Sequence, residues 1–192
     1  MKKLLTPLIV IALILSIAGC GADPKEEYRK ATYAVATEMM DAIIDAGDQC
    51  HLIYEVWYNS IYEKSSSITD QFTKDGRNFH SDFNTSLGVL FRNRDFAVIN
   101  SEIKKNQEAV FELMKEMQEY PADMRTCYDA VEALYSAYYN ATNSALNPSG
   151  TLNTYRENCE RYLSQFSECY NKVKMFFPDP LPTPSSTAKT GF

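Results

Sequence analysis

The chain has 192 residues, with 25 acidic and 19 basic side chains and a net charge of −6 at pH 7. Affinity for nucleic acid comes mainly from Lys and Arg on phosphates, so a chain this acidic is a poor candidate for it and no nucleic-acid partner is expected. Seven glycines and thirteen tyrosines suit helices better than a β-sandwich rich in turns.

The chain opens on Met1, Lys2 and Lys3, followed by a run without charge from Leu4 to Ala18. A positive start and an apolar stretch form the pattern of a secretory signal. As a helix the run would rise roughly 22 Å, short of the about 20 residues that a spanning helix needs, and Pro7 interrupts it. It ends in Ile17-Ala18-Gly19-Cys20, which resembles the bacterial lipobox: an aliphatic residue, two small residues that let a peptidase reach the bond, and a cysteine whose thiol takes up diacylglycerol. The resemblance implies removal of residues 1–19 as a lipoprotein signal peptide and lipidation at Cys20 with palmitate-type acyl chains. It also implies attachment to the extracytoplasmic face of the cell membrane, since two acyl chains suffice for stable anchoring. Loss of Lys2 and Lys3 takes the net charge from −6 to −8, so the lipid rather than surface charge must hold the domain there.

Residues 20–24 make a tether of Cys20 and four residues, reaching only about 14 Å when extended. A helical bundle domain is expected over residues 25–177. Its first helical pattern runs from about Lys25 to Tyr62, with Tyr28, Thr32, Val35, Met39, Ala42, Ala46, Cys50, Ile53, Trp57 and Ile61 spaced three and four apart on one face. Ser65-Ser66-Ser67 and Asp75-Gly76 mark a loop.

A second helical region spans about Asn78 to Tyr120. Phe83, Leu87 and Leu90 form one stripe; Ile99, Ile103, Val110, Leu113, Met117 and Tyr120 form another. The phase slips around Arg92-Asn93-Arg94-Asp95, which predicts a kink or break. Tyr120-Pro121 ends the region, with Pro121 suited to the first position of the next helix. The third helix carries Met124, Cys127, Val131, Leu134, Tyr138, Ala141 and Ala145 on one stripe and runs to about Leu146. After the turn Asn147-Pro148-Ser149-Gly150, the fourth carries Leu152, Tyr155, Cys159, Tyr162, Phe166, Cys169, Val173 and Phe176. Pro178, Pro180, Pro182 and Pro184 stop it, and residues 178–192 read as a disordered tail rich in Pro, Ser and Thr. The fold class is therefore all-α, an antiparallel up-down bundle of about four helices with the second kinked.

Val56-Trp57-Tyr58-Asn59-Ser60-Ile61-Tyr62-Glu63, then Phe83-Asn84 with Leu87, and the turn Leu146-Asn147-Pro148-Ser149-Gly150 together resemble a loose group of exported, all-helical lipoproteins of Gram-positive bacteria. The resemblance covers most of the mature chain. It implies an architecture, lends no functional residues and implies no activity.

Besides Cys20 there are four cysteines, an even number that permits disulfides in an exported chain. Cys159 and Cys169 lie ten apart on one helix, about 15 Å, too far to be joined. The midpoint of 127 and 169 is Pro148 in the turn, so Cys127–Cys169 is the expected bond. Cys50–Cys159 remains by elimination, although rise-per-residue bookkeeping puts these two at different levels. The alternative is four reduced cysteines acting as small buried hydrophobes.

Two histidines, His51 and His80, belong to no zinc signature, and the chain lacks a GxSxG elbow, a Gly-rich phosphate loop and a CxxC pair. Asp48 and His51, three apart, could share a helix face. Tyr58 and Tyr62, four apart, are the candidate partner-binding surface, since exposed aromatics at helical spacing anchor partners. No catalytic residue, metal ligand or cofactor is assigned. The expected function is a non-enzymatic binding or interaction module at the cell surface, with a protein, peptide or envelope partner. One alternative is a carrier of metal or small ligand, or an enzyme, using Asp48 and His51. Another is a protective lipoprotein excluding phage or bacteriocin, or a structural component of the envelope.

Overall fold

A computed structural model of the protein describes residues 23–177. The signal segment, Cys20 and the tail from Pro178 onward lie outside the described residues. The described chain is mostly helical, as expected for an all-α protein, with six α-helices and little strand. No helix among the described residues is long and apolar enough to cross a membrane.

Helix α1 spans Pro24–Ile61, 38 residues. Its start follows from local chemistry. Asp23 accepts from the Lys25 backbone amide, Pro24 occupies the first turn where its missing N–H costs nothing, and Glu26 and Glu27 complement the positive end of the helix. The apolar stripe read from sequence is buried from Tyr28 through Trp57. Ile61, the last residue of the helix, departs from it and is 45% exposed.

After α1 comes the region marked as loop by Ser65-Ser66-Ser67 and Asp75-Gly76. It holds a one-turn helix α2 (Asp70–Thr73) and a two-stranded hairpin, β1 (Lys74–Asp75) and β2 (Asn78–Phe79), paired antiparallel with Lys74 opposite Phe79. Asn78 thus belongs to a strand and not to the second helix. The cause is Asp75-Gly76: Gly76 takes φ +62°, which suits a tight hairpin turn. The second helix starts instead at Phe83, where Asp82 accepts from the Asn84 amide.

The break expected around Arg92–Asp95 is present. Helix α3 (Phe83–Arg92) and helix α4 (Arg94–Glu116) meet at Asn93, which is extended at ψ 133° and whose side chain accepts from both the Asp95 and Phe96 amides. One residue therefore ends one helix and caps the next. Pro121 does not open the following helix. It caps a short 3₁₀ turn (Ala122–Met124) that leads into helix α5 (Arg125–Leu146). Helix α6 (Leu152–Lys174) starts at a reciprocal pair in which Thr151 and Thr154 bond each other's backbone amides.

Everything packs along α1. Its first half, with the end of α4, most of α5 and the end of α6, buries one apolar cluster around Met39, Val110, Leu134 and Tyr138. Its second half, with α2, α3, the start of α4 and the start of α6, buries another around Ile53, Trp57, Leu90 and Tyr155. Contacts fix the directions. Tyr28 donates to the Met117 carbonyl (3.1 Å) and Gln49 to that of Phe96 (3.3 Å), so α4 runs opposite to α1. Thr32 meets Cys127 at 3.8 Å, at the start of α5 as near the start of α1. The Tyr33–Phe177 and Trp57–Tyr155 ring contacts run α6 back along α1.

Truncation separates the two kinds of constraint. Leu134→Ala empties a fully buried position and should cost about 2–5 kcal/mol in denaturant unfolding. Asn93→Ala removes a cap and should cost about 1 kcal/mol. Equal costs would mean that the α3–α4 junction carries as much stability as the core.

Candidate functional site

The second half of α1 sorts its aromatic residues by face. Trp57 points inward, stacked on Phe83 (ring centroids 5.2 Å apart, planes 15°) and tilted against Tyr155 (5.7 Å). One residue on, Tyr58 points outward and is 36% exposed, and Tyr62 is 56% exposed. Their rings lie 4.6 Å apart, and Tyr54 extends the row at 5.9 Å from Tyr58. Arg156 of α6 sits over the Tyr54 ring at 5.9 Å. Two aliphatic side chains join the exposed end, Ile61 (45% exposed) and Ile68 (56%).

The backbone under this row is held. Asn59 donates to Thr69 Oγ1 at 2.9 Å, which ties the loop bearing Ile68 back to α1. Ser60 and Ser86 share a buried hydroxyl–hydroxyl bond at 2.8 Å, which ties α1 to α3. The tyrosines were readable from their spacing of four. Ile68 was not, because nothing in the Ser-rich stretch shows that the loop folds back on Asn59.

Asp48 and His51 do not form a pair. Asp48 is exposed, and the His51 Nε2 faces Glu55 Oε1 at 3.6 Å on the next turn of the helix. No group of three or more His, Cys, Asp or Glu side chains that could hold a metal ion occurs among the described residues. A shallow depression lined by Gln71, Phe72, Val89, Arg92 and Asn93 offers one charged group and no acid or base partner to it.

All four described cysteines are free thiols, so neither expected disulfide is present. For Cys127–Cys169 the reason is register. The turn lies between Leu146 and Leu152, centred on Ser149 rather than Pro148, and Cys127 points across to Thr32 of α1. Cys50 and Cys159 behave differently. Both are buried in the same cluster as Tyr155. Hydrogen bonding to Cys159 and burial push the Cys50 thiol up, and acceptance of that bond holds Cys159 down.

A second buried polar set lies midway along the molecule. Tyr138 donates to Asn106 Oδ1, and the Asn106 amide donates to the Glu38 carbonyl at 3.1 Å. The Glu38 carboxylate lies 3.5 Å from the same amide. Burial, with a smaller push from Asp41, raises the Glu38 pKa. No protein family, curated protein or solved structure matches the chain.

Glu38 gives a pH dependence with a definite sign. Its folded pKa lies above the unfolded value, so the folded state binds the extra proton and stability falls as pH rises through the folded pKa. Glu38→Gln keeps an acceptor for Asn106 without the charge. It should raise the melting temperature at about pH 7.5, and the gain should vanish below about pH 4, where both forms are neutral. A constant difference across that range would show that the charge of Glu38 is not what the burial opposes.

Proposed function

We propose that the protein is a lipid-anchored, extracytoplasmic binding module that presents the Tyr58–Tyr62 row to a protein, peptide or envelope partner at a distance from the membrane. The observation that carries this reading is the position of the row at the far end of α1. The lipobox-like Cys20 precedes the near end by four residues. A helix of 38 residues rises about 57 Å, while the tether reaches about 14 Å at most. Anchoring at Cys20 therefore keeps one pole beside the bilayer and leaves the tyrosines available at the other.

In this reading the body is a four-helix up-down bundle in which α3 and α4 together make the second, broken helix. The bundle acts as a rigid spacer. Two neighbouring phenol rings, tilted at 43°, and the exposed side chains of Ile61 and Ile68 supply apolar area with hydroxyls at its edge, the composition that anchors partners. Side chains already held by the ring contact and by the ties at Asn59 and Ser60 have less freedom to lose on binding.

A photo-crosslinking residue placed at Tyr62 in the chain within its own membranes should give discrete adducts, and one at exposed Lys104 on α4 should not. Tyr58→Ala should weaken the Tyr62 adduct about tenfold or more. Equal labelling at the two positions would remove the partner-binding reading. The anchor is read separately from the intact mass: a diacylglycerol-modified chain beginning at Cys20 is expected, and an unlipidated chain retaining residues 1–19 would overturn it.

A further inference from the structure

We propose that the shallow depression between α2 and α3 is the carboxylate subsite of the partner surface, taking an acidic side chain or a C-terminal carboxylate from a peptide segment of the partner. This role rests on the partner-binding reading above, whose chemistry it narrows to an anionic peptide. Gln71 and Phe72 of α2, Val89 and Arg92 of α3, and Asn93 line the depression. It adjoins the loop already tied to the tyrosine row. Gln71 donates to the Ile68 carbonyl at 3.1 Å, and Asn59, between Tyr58 and Tyr62, donates to Thr69. The exposed Ile68 therefore stands on the segment that joins the row to the depression.

The donors here are set in place and lack an acid. Arg92 lies back along α3, its Nη1 3.5 Å from the point that a Cβ on Gly88 would occupy. No ion pair joins it to a carboxylate among the described residues. Asn93 commits its Oδ1 to the Asp95 and Phe96 amides, which leaves its Nδ2 protons as the free donors. A guanidinium with an amide N–H beside it suits a carboxylate, whose hydrogen bonds to Arg are charge-assisted and forked. Phe72 and Val89 give an apolar neighbour of that carboxylate a surface to pack on. The nearest acids are already engaged: Asp70 pairs with Lys74 at 2.9 Å, and Asp82 caps α3. Residues 58–95 carry five acidic and five basic side chains, so the net negative charge of the chain lies outside this pole. An acidic segment is repelled by the rest of the surface and admitted here.

The test uses the full chain solubilised from its own membranes and saturation-transfer NMR of three peptides. They are acetyl-Ala-Leu-Glu-Leu-Ala-amide, its Gln counterpart, and that Gln peptide with a free C-terminal carboxylate. The Glu peptide, the free-carboxylate peptide or both should bind about fivefold tighter than the amidated Gln peptide. Which of them does so tells a side-chain source from a chain end. The advantage should shrink as NaCl rises from about 0.02 to about 0.5 M. Arg92→Gln should abolish it with the melting temperature nearly unchanged, and Lys104→Gln should leave it in place. Equal binding of the three peptides, or an advantage that survives Arg92→Gln, overturns the proposal. In the membrane, Arg92→Gln should weaken the Tyr62 photo-adduct about fivefold. An unchanged adduct overturns the subsite and leaves the partner reading standing. No adduct from any chain, with the carboxylate preference intact, removes the partner reading and leaves the site.

Discussion

The structure depends on one constraint: α1 has a buried face along nearly its whole length and must be covered along all of it. From Tyr28 to Trp57 a residue of this helix turns inward at every step, and no single partner helix covers the whole stripe. The cover is therefore shared. The end of α4 and most of α5 take the first half, α2 and α3 take the second, and α6 runs back along both. The break at Asn93 follows from the same requirement. Leu90 and Phe96 both reach the second cluster, although they lie on opposite sides of the junction. A single extended residue, stabilised by two amides on its own side chain, lets the chain change phase there without leaving the core.

Apolar cover alone would tolerate sliding of one helix along another, since burial is non-directional. The polar atoms between the helices remove that freedom. Tyr138, Asn106 and the Glu38 carbonyl tie α5, α4 and α1 at one level. Gln107 donates to Thr142 at 2.7 Å one turn away, and Gln49 reaches the Phe96 carbonyl near the junction. A slip by one turn would leave each of these groups buried without a partner, at a cost of about 1–3 kcal/mol apiece. The half-buried Glu38 carboxylate works against this arrangement. Its raised pKa marks a charge kept close to the network at some expense in stability.

This division explains what could be read from the sequence. The stripe of α1 from Tyr28 to Trp57, the length of that helix, the phase slip at Asn93 and the turn after Leu146 are local, and each appears where the residue pattern placed it. Relations between helices are set by contacts that no spacing encodes. The Cys127–Cys169 pairing failed because a displacement of one residue in the centre of the turn, together with the rotation of α5 toward Thr32, moves the thiols apart. Gly47 admits Leu163 at 3.8 Å from the position its absent Cβ would occupy, and this seat brings α6 into step with α1. The hairpin at Gly76 is local too, but Asp75-Gly76 marks a turn whether or not strands flank it, and two residues on either side are too few to show a period. Tyr58 and Tyr62 were visible as a pair; the loop that completes their surface was not, because it depends on Asn59 finding Thr69 ten residues later.

The placement of the tyrosines bears on how the end of a long helix can serve as a recognition surface at all. A helix terminus frays unless it is held, and frayed aromatics lose their relative geometry. Here the inward neighbour of the exposed row is Trp57, stacked on Phe83 and tilted against Tyr155, so the residue adjacent to Tyr58 is fixed by helices from both flanks. Asn59 and Ser60 then tie the following two positions to the α2 loop and to α3. Trp57 and Ser60 are buried and fix the backbone, while Tyr58 between them turns outward against the rings of Tyr54 and Tyr62. That arrangement separates the side chains that hold the pole together from the ones left exposed on it. In the proposed reading, it lets Tyr58 and Tyr62 be changed for partner specificity while the Trp57 stack keeps the pole intact.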